Sequence, residues 1–180
     1  RHSFPTRRSS DLAKIERKNC ARFYEILEDT LVGNRLEVFE GTDADIRKRP
    51  KFYFFDPGVL NGLLDNFKAS ADRKGLLFET LVVSQILASA KARDQKVSLS
   101  YFRTRAGFEV DLIVAIKNGL YAVEIKSGRF ADEDARKLGQ FANYEKNTSG
   151  LFAVTIGDVT RQIGDVRACS LPTFLKEIGL

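Results

Sequence analysis

Phe108–Lys126 reads FEVDLIVAIKNGLYAVEIK, two apolar runs joined by Asn118-Gly119. Short β-branched runs bounded by turn residues read as strands, and Asn-Gly is a strong two-residue hairpin signal because both central turn positions need positive φ. Counting outward from that turn predicts Lys117 opposite Leu120, Ala115 opposite Ala122, Ile113 opposite Glu124 and Asp111 opposite Lys126. Opposed residues, and residues two apart in a strand, share a face. Asp111, Glu124 and Lys126 are therefore expected to converge on one side of the sheet. Val110, Leu112, Val114, Val123 and Ile125 are expected to form core on the other.

The neighbouring segments extend this hairpin into a layer. Upstream, Leu76–Ala90 keeps helical spacing, and Glu79 projects into the apolar stripe of Leu76, Val82, Val83, Ile86 and Ala90. A carboxylate buried there must be neutral, paired or metal-bound, because an unpaired one costs several kcal/mol. A strand, VSLSYFRT, separates that helix from the hairpin. A polar helix follows over about 132–146, and then a buried-looking strand, GLFAVTIG. The tail VRACSLPTFLKEIGL reads as a last strand and short helix. The order αβββαβ predicts an α/β fold with a mixed sheet covered by helices on both faces.

Asp111 and Glu124 are hard oxygen ligands of the kind that hold Mg²⁺ (or Mn²⁺) through one or two carboxylates, with Glu79 behind them as a third candidate ligand. A lysine beside such an ion can orient a water or stabilise charge developing on a phosphate, which is the role expected for Lys126. The bland reading is a cross-strand ion pair between Asp111 and Lys126, worth about 0.2–1 kcal/mol. Arg103 and Arg105 are either exposed or in contact with a phosphate backbone.

The N-terminal half has a different texture. Asn19–Val32 keeps helical spacing, RLEVFEG and KFYFFDPG read as strands, and the polar, basic TDADIRKRPK lies between them. This is the outline of a winged-helix-like unit over 13–70, with the basic connection as a wing or simply as solvated surface. Asp56-Pro57-Gly58 turns the chain into a short helix, and the boundary falls in KASADRKG, leaving 71–180 as the second unit.

The formal charge of the 180 residues is +5, of which the first twelve, RHSFPTRRSSDL, supply +2 through three arginines and one aspartate. That segment lacks periodicity and resembles a translated sequencing adapter; a disordered native tail is the alternative. It is left out of the fold, and on the adapter reading the true N-terminus is missing. The remaining +3, with no dense basic helix, is mild for a protein that grips nucleic acid non-specifically. Cys20 and Cys169 fit no metal or disulfide spacing, which points to a reducing, cytoplasmic setting. No apolar run approaches the ~20 residues of a membrane span, so no membrane partner is expected.

Asp111 followed by Glu124-x-Lys126 on a hairpin resembles the PD-(D/E)xK, restriction-endonuclease-like nucleases. Gly75-x-x-x-Glu79 upstream and Gln140-x-x-x-Tyr144 downstream are similar to further motifs of the RecB-type branch. That resemblance implies a metal-dependent DNA nuclease in which Gln140 and Tyr144 contribute to the active site or to DNA contact. The chain departs from that branch in having no histidine near the constellation. From Ala13 onward, LEDTLVGNRLEVF, RPKFYFFDPGVLNGLL, GLLFETLVV, YFRTRAGFEVDLIV and AVEIKSG together resemble the domain of unknown function that follows the ATPase module in many prokaryotic AAA+ ATPase-like proteins. This implies a missing N-terminal ATPase domain as a partner. No G-x-x-x-x-G-K-[ST] occurs here, so no ATP site is expected in this chain. Two functions remain open: a metal-dependent nuclease module, and a non-catalytic module that binds DNA or protein and regulates the ATPase.

Overall fold

The computed structural model describes residues 16–41, 44–46, 49–117, 119–157 and 160–180. The expected extraneous segment 1–12, part of the basic connection, and Asn118 lie outside the described residues. The chain runs α1 (Arg17–Asp29), β1 (Gly33–Val38), β2 (Lys51–Phe54), α2 (Pro57–Leu63), α3 (Ala71–Ala92), β3 (Val97–Arg103), β4 (Glu109–Ile116), β5 (Gly119–Lys126), α4 (Asp132–Gly139), β6 (Gly150–Thr155), β7 (Arg161–Ile163), β8 (Val166–Ser170) and α5 (Leu171–Glu177).

All eight strands join one mixed sheet in the order β2-β1-β3-β4-β5-β6-β8-β7. β1/β2, β3/β4, β4/β5 and β7/β8 are antiparallel; β1/β3, β5/β6 and β6/β8 are parallel. The strands expected to belong to a separate winged-helix-like unit, β1 and β2, continue this sheet. β1 lies beside β3, and Leu36, Val38 and Tyr53 share a core with α3.

Each face is covered for a reason visible in the residue pattern. In α3, Phe78, Val82, Ile86 and Ala90 recur every four residues and are buried with Val83 against Leu112, Val114, Val123 and Ile125 of the sheet. α5 extends this layer through Phe174. On the opposite face α4 supplies Ala135 and Leu138, which pack with Phe141 against Phe102, Val110, Ile113 and Ala122. Each fully buried side chain of this size contributes about 1.5–3 kcal/mol of transfer free energy. At the start of α2 the Asp56 carboxylate accepts from the N–H groups of Gly58 (2.6 Å) and Val59 (3.2 Å), with Pro57 in the first turn. Those bonds satisfy donors that a helix start otherwise leaves open.

Three expectations need correction. The hairpin register is shifted by two: Ile116 pairs with Gly119, Ala115 with Leu120, Ile113 with Ala122 and Leu112 with Val123. Gly119 is thus the first strand residue, and Lys117 takes the left-handed conformation (φ 54°) that the loop requires. A shift of two preserves the face of every side chain, but the same register carried onward sets Asp111 opposite Glu124 in place of Lys126. The second correction is a β-bulge. Between the pairs Ser100–Ile113 and Phe102–Val110, β3 spends one residue, Tyr101, where β4 spends two, Asp111 and Leu112. Val110 therefore packs with Ile113 on the α4 face and not with Leu112. Third, α3 is long and apolar enough by composition to meet the requirement for a membrane span, contrary to expectation; its Val82, Val83 and Ile86 are spent on the sheet instead.

Candidate active site

β4 and β5 stay paired only as far as Leu112–Val123. Beyond that pair the bulge turns Asp111 toward the fork between the strands, where its Oδ2 accepts the Ile125 N–H at 2.9 Å. The carboxylate thus takes the place of a ladder carbonyl. A bulge beside an active site typically re-aims one side chain in this way.

Glu124, on β5, is buried at 8% exposure. Its Oε1 lies 3.0 Å from the Lys126 ammonium, which also reaches Asp134 Oδ1 at 3.2 Å. Asp134 is in turn fixed by the Ala131 N–H at the start of α4. Burial and the nearby Asp111 push the Glu124 carboxyl up to about 7, against the pull of Lys126. Burial works against the Lys126 ammonium, but Glu124 and Asp134 outweigh it and hold its pKa above the ordinary lysine value.

Burial also raises Asp111, opposed by Lys51 and by the Ile125 N–H bond. Glu79 is half-buried on α3 and accepts a hydrogen bond from the Tyr53 hydroxyl at 3.0 Å. Burial and then Asp111 raise the Glu79 carboxyl, while Lys51 and the Tyr53 bond lower it. Glu124 and Lys126 are thus in direct contact, Asp111 is bonded one residue from Glu124 at the Ile125 N–H, and Glu79 does not point into open solvent.

The other two candidates sit differently. The helix expected to reach about residue 146 ends at Gly139 and gives way to a 3₁₀ turn over Gln140–Asn143. Gln140 is exposed there. Tyr144 stacks on Phe108 with ring centroids 5.2 Å apart and an interplanar angle of 19°, and packs on Phe102 at 5.1 Å. The α-helical geometry that would align the two side chains one turn apart is absent, and Tyr144 is held as a packed aromatic. Arg103 is half-buried, 3.6 Å from Glu109, whereas Arg105 pairs with Asp45 at the surface.

Four residues at the site escaped the sequence reading: Lys51 and Tyr53 of β2, Glu109 and Asp134. Lys51 bonds Glu109 at 3.1 Å. A same-face signal existed for three of them, since 51 and 53, and 109 and 111, are two apart in strands. Nothing local announced that β2 would come near β4.

The acidic side chains here are hard oxygen donors, the kind that a divalent cation takes. At contact distance Lys51 and Arg103 meet Glu109, and Lys126 meets Glu124 and Asp134, while Glu79 is bonded by Tyr53 and Asp111 by the Ile125 N–H. Among the described residues no three Asp, Glu, His or Cys side chains form a ready ligand group.

No curated protein matches the chain. The pattern of one family, described as a domain of unknown function (DUF4143), matches residues 74–174, a stretch that includes Glu79, Asp111, Glu124, Lys126, Gln140 and Tyr144 but not Lys51 or Tyr53. That match takes in more than half of the chain, which therefore belongs to the DUF4143 family.

Proposed function

We propose that the chain carries a PD-(D/E)xK-like core that hydrolyses phosphodiester bonds in DNA with Mg²⁺ or Mn²⁺. The observation that carries this reading is the bulge-turned Asp111 beside Glu124 at the strand fork, with the Lys126 ammonium 3.0 Å from Glu124. Asp111 and Glu124 would hold the metal, with Glu79 behind them. A bound divalent ion would lower the pKa of its water and polarise the phosphorus centre. Lys126 would orient the attacking water or stabilise negative charge on the phosphate, and Asp134 keeps its ammonium in place. In the full-length protein the module would follow an AAA+ ATPase domain that drives or gates it.

A second reading rests on its own observation. The Lys126 ammonium is already shared between Glu124 and Asp134, and Gln140 stands in solvent. These features favour a catalytically silent module that binds DNA or protein and regulates the ATPase.

Thermal unfolding with and without millimolar Mn²⁺, alongside plasmid cleavage, separates the two. Binding to the folded state alone adds about 2.7 kcal/mol at a hundredfold excess over Kd. Asp111→Asn is expected to abolish that gain while raising the midpoint of the metal-free protein, because one repelling charge is gone. Wild-type protein with no Mn²⁺-dependent shift and no cleavage would reject the nuclease reading.

A further inference from the structure

Arg103 ends β3 directly opposite Glu109, the first residue of β4. Its side chain is 25% exposed, yet Nε is sealed from solvent and has no hydrogen-bond partner. Glu109 Oε2, at 3.6 Å, supplies charge but is too far away for a hydrogen bond. The other oxygen of that carboxylate is taken by Lys51 at 3.1 Å. Nε is the one nitrogen of the guanidinium that is both buried and unbonded, and no described residue accepts from Nη1 or Nη2. The two terminal nitrogens therefore stay open to solvent. Arginines that hold this fold together look different. Arg73 donates to the Asn66 and Lys68 carbonyls and to Asn61, and Arg167 Nε meets both Glu177 oxygens at 2.6 and 2.7 Å. A half-buried guanidinium whose donors are all left over is organised for an oxyanion from outside.

We propose that Arg103 is a phosphate-contact residue, whose Nη1 and Nη2 bond the non-bridging oxygens of one phosphodiester of a DNA strand lying across the β3–β4 end of the sheet. This inference rests on the DNA reading above and on no bound metal. Lys51 and Arg103 against Glu109 leave one positive charge, which matches the single negative charge of a phosphodiester. Lys51, only 11% exposed, backs the anion through its field, while Arg103 makes the contact. Such a bond positions a strand without reading its bases, and it does so beside Asp111, two residues along β4 from Glu109.

The test is fluorescence anisotropy of a short labelled DNA duplex with the full chain in EDTA, over a series of KCl concentrations, for wild type, Arg103→Gln, Arg103→Lys and Arg105→Gln. Arg103→Gln is expected to bind about tenfold more weakly and to flatten the plot of log Kd against log salt by about 0.9, the loss of one phosphate contact. Arg103→Lys should keep the wild-type slope and lose part of the affinity, because it retains the charge without the planar fork. Arg105→Gln should bind like wild type, since Arg105 already pairs with Asp45 at the surface. Arg103→Gln with undiminished affinity and slope overturns the contact while leaving the DNA reading standing. An equal loss on Arg105→Gln also overturns it, because any positive charge on this side would then serve. Inorganic phosphate at constant ionic strength should not displace the duplex; displacement from wild type but not from Arg103→Gln would make this a free-phosphate site and overturn the phosphodiester assignment. Should Arg103→Gln fail to fold, Arg103→Lys decides alone, and full affinity overturns the proposal. Wild type that binds no duplex removes the DNA reading and this inference together.

Discussion

Glu124→Gln tests the electrostatics of the site without any ligand. The Glu124 carboxyl is pushed from an ordinary value of 4.5 up to about 7 by burial and by Asp111. Below pH 4.5 the group is protonated in both folded and unfolded chains, and the folded state carries no penalty. Between 4.5 and about 7 the folded chain binds more protons than the unfolded one, so stability falls as pH rises. At about 1.4 kcal/mol for each tenfold change in proton affinity, the full loss is about 3 kcal/mol above pH 7. For a chain of this length that corresponds to about 6–12 °C in the unfolding midpoint. Asp111 and Glu79, also raised, add to the slope with the same sign, whereas Asp134, which is lowered, titrates below this window. Glutamine keeps the shape of the protonated acid, leaves Lys126 bonded to Asp134, and removes the charge that Asp111 feels. Thermal unfolding in EDTA from pH 4.5 to 8 should therefore show wild type losing stability while Glu124→Gln follows a much shallower slope and is the more stable protein at pH 8. Parallel slopes for the two proteins, or a wild type that gains stability across this range, would refute the reasoning.

Lys126→Ala is expected to abolish DNA cleavage while leaving the Mn²⁺-dependent midpoint shift in place, measured by plasmid nicking and thermal unfolding on the same samples. Loss of both would assign Lys126 to holding the carboxylates and not to the reaction. Phe102→Ala should cost about 3–5 kcal/mol in urea unfolding, because Phe102 is fully buried and its ring meets Phe141 at 5.3 Å, Tyr144 at 5.1 Å and Phe108 at 5.9 Å. A cost below about 1 kcal/mol would mean that the α4 face is not packed as a unit.

Much of the architecture was legible locally. Short apolar runs bounded by turn residues mark β3, β4, β5 and β6, and the four-residue recurrence of Phe78, Val82, Ile86 and Ala90 marks α3. Strand parity predicted Asp111, Glu124 and Lys126 on one face, and the lone carboxylate in the stripe of α3 pointed to Glu79. A register error of two residues alone preserves every face, but the bulge breaks the parity of β4 at Asp111–Leu112, so alternation does not account for where Asp111 lies relative to Glu124. Only the tertiary structure decided the rest. Whether the left-handed turn residue is Lys117 or Gly119 depends on which pairing the whole sheet accepts, and the Asp111–Leu112 bulge exists only relative to Tyr101 on the neighbouring strand. The arrival of β1 beside β3, which brings Lys51 to Glu109 and Tyr53 to Glu79, joins segments some tens of residues apart. Periodicity reports which face of an element is apolar; it carries no information about which distant strand will satisfy an open backbone edge, and at this site that choice supplies the second lysine.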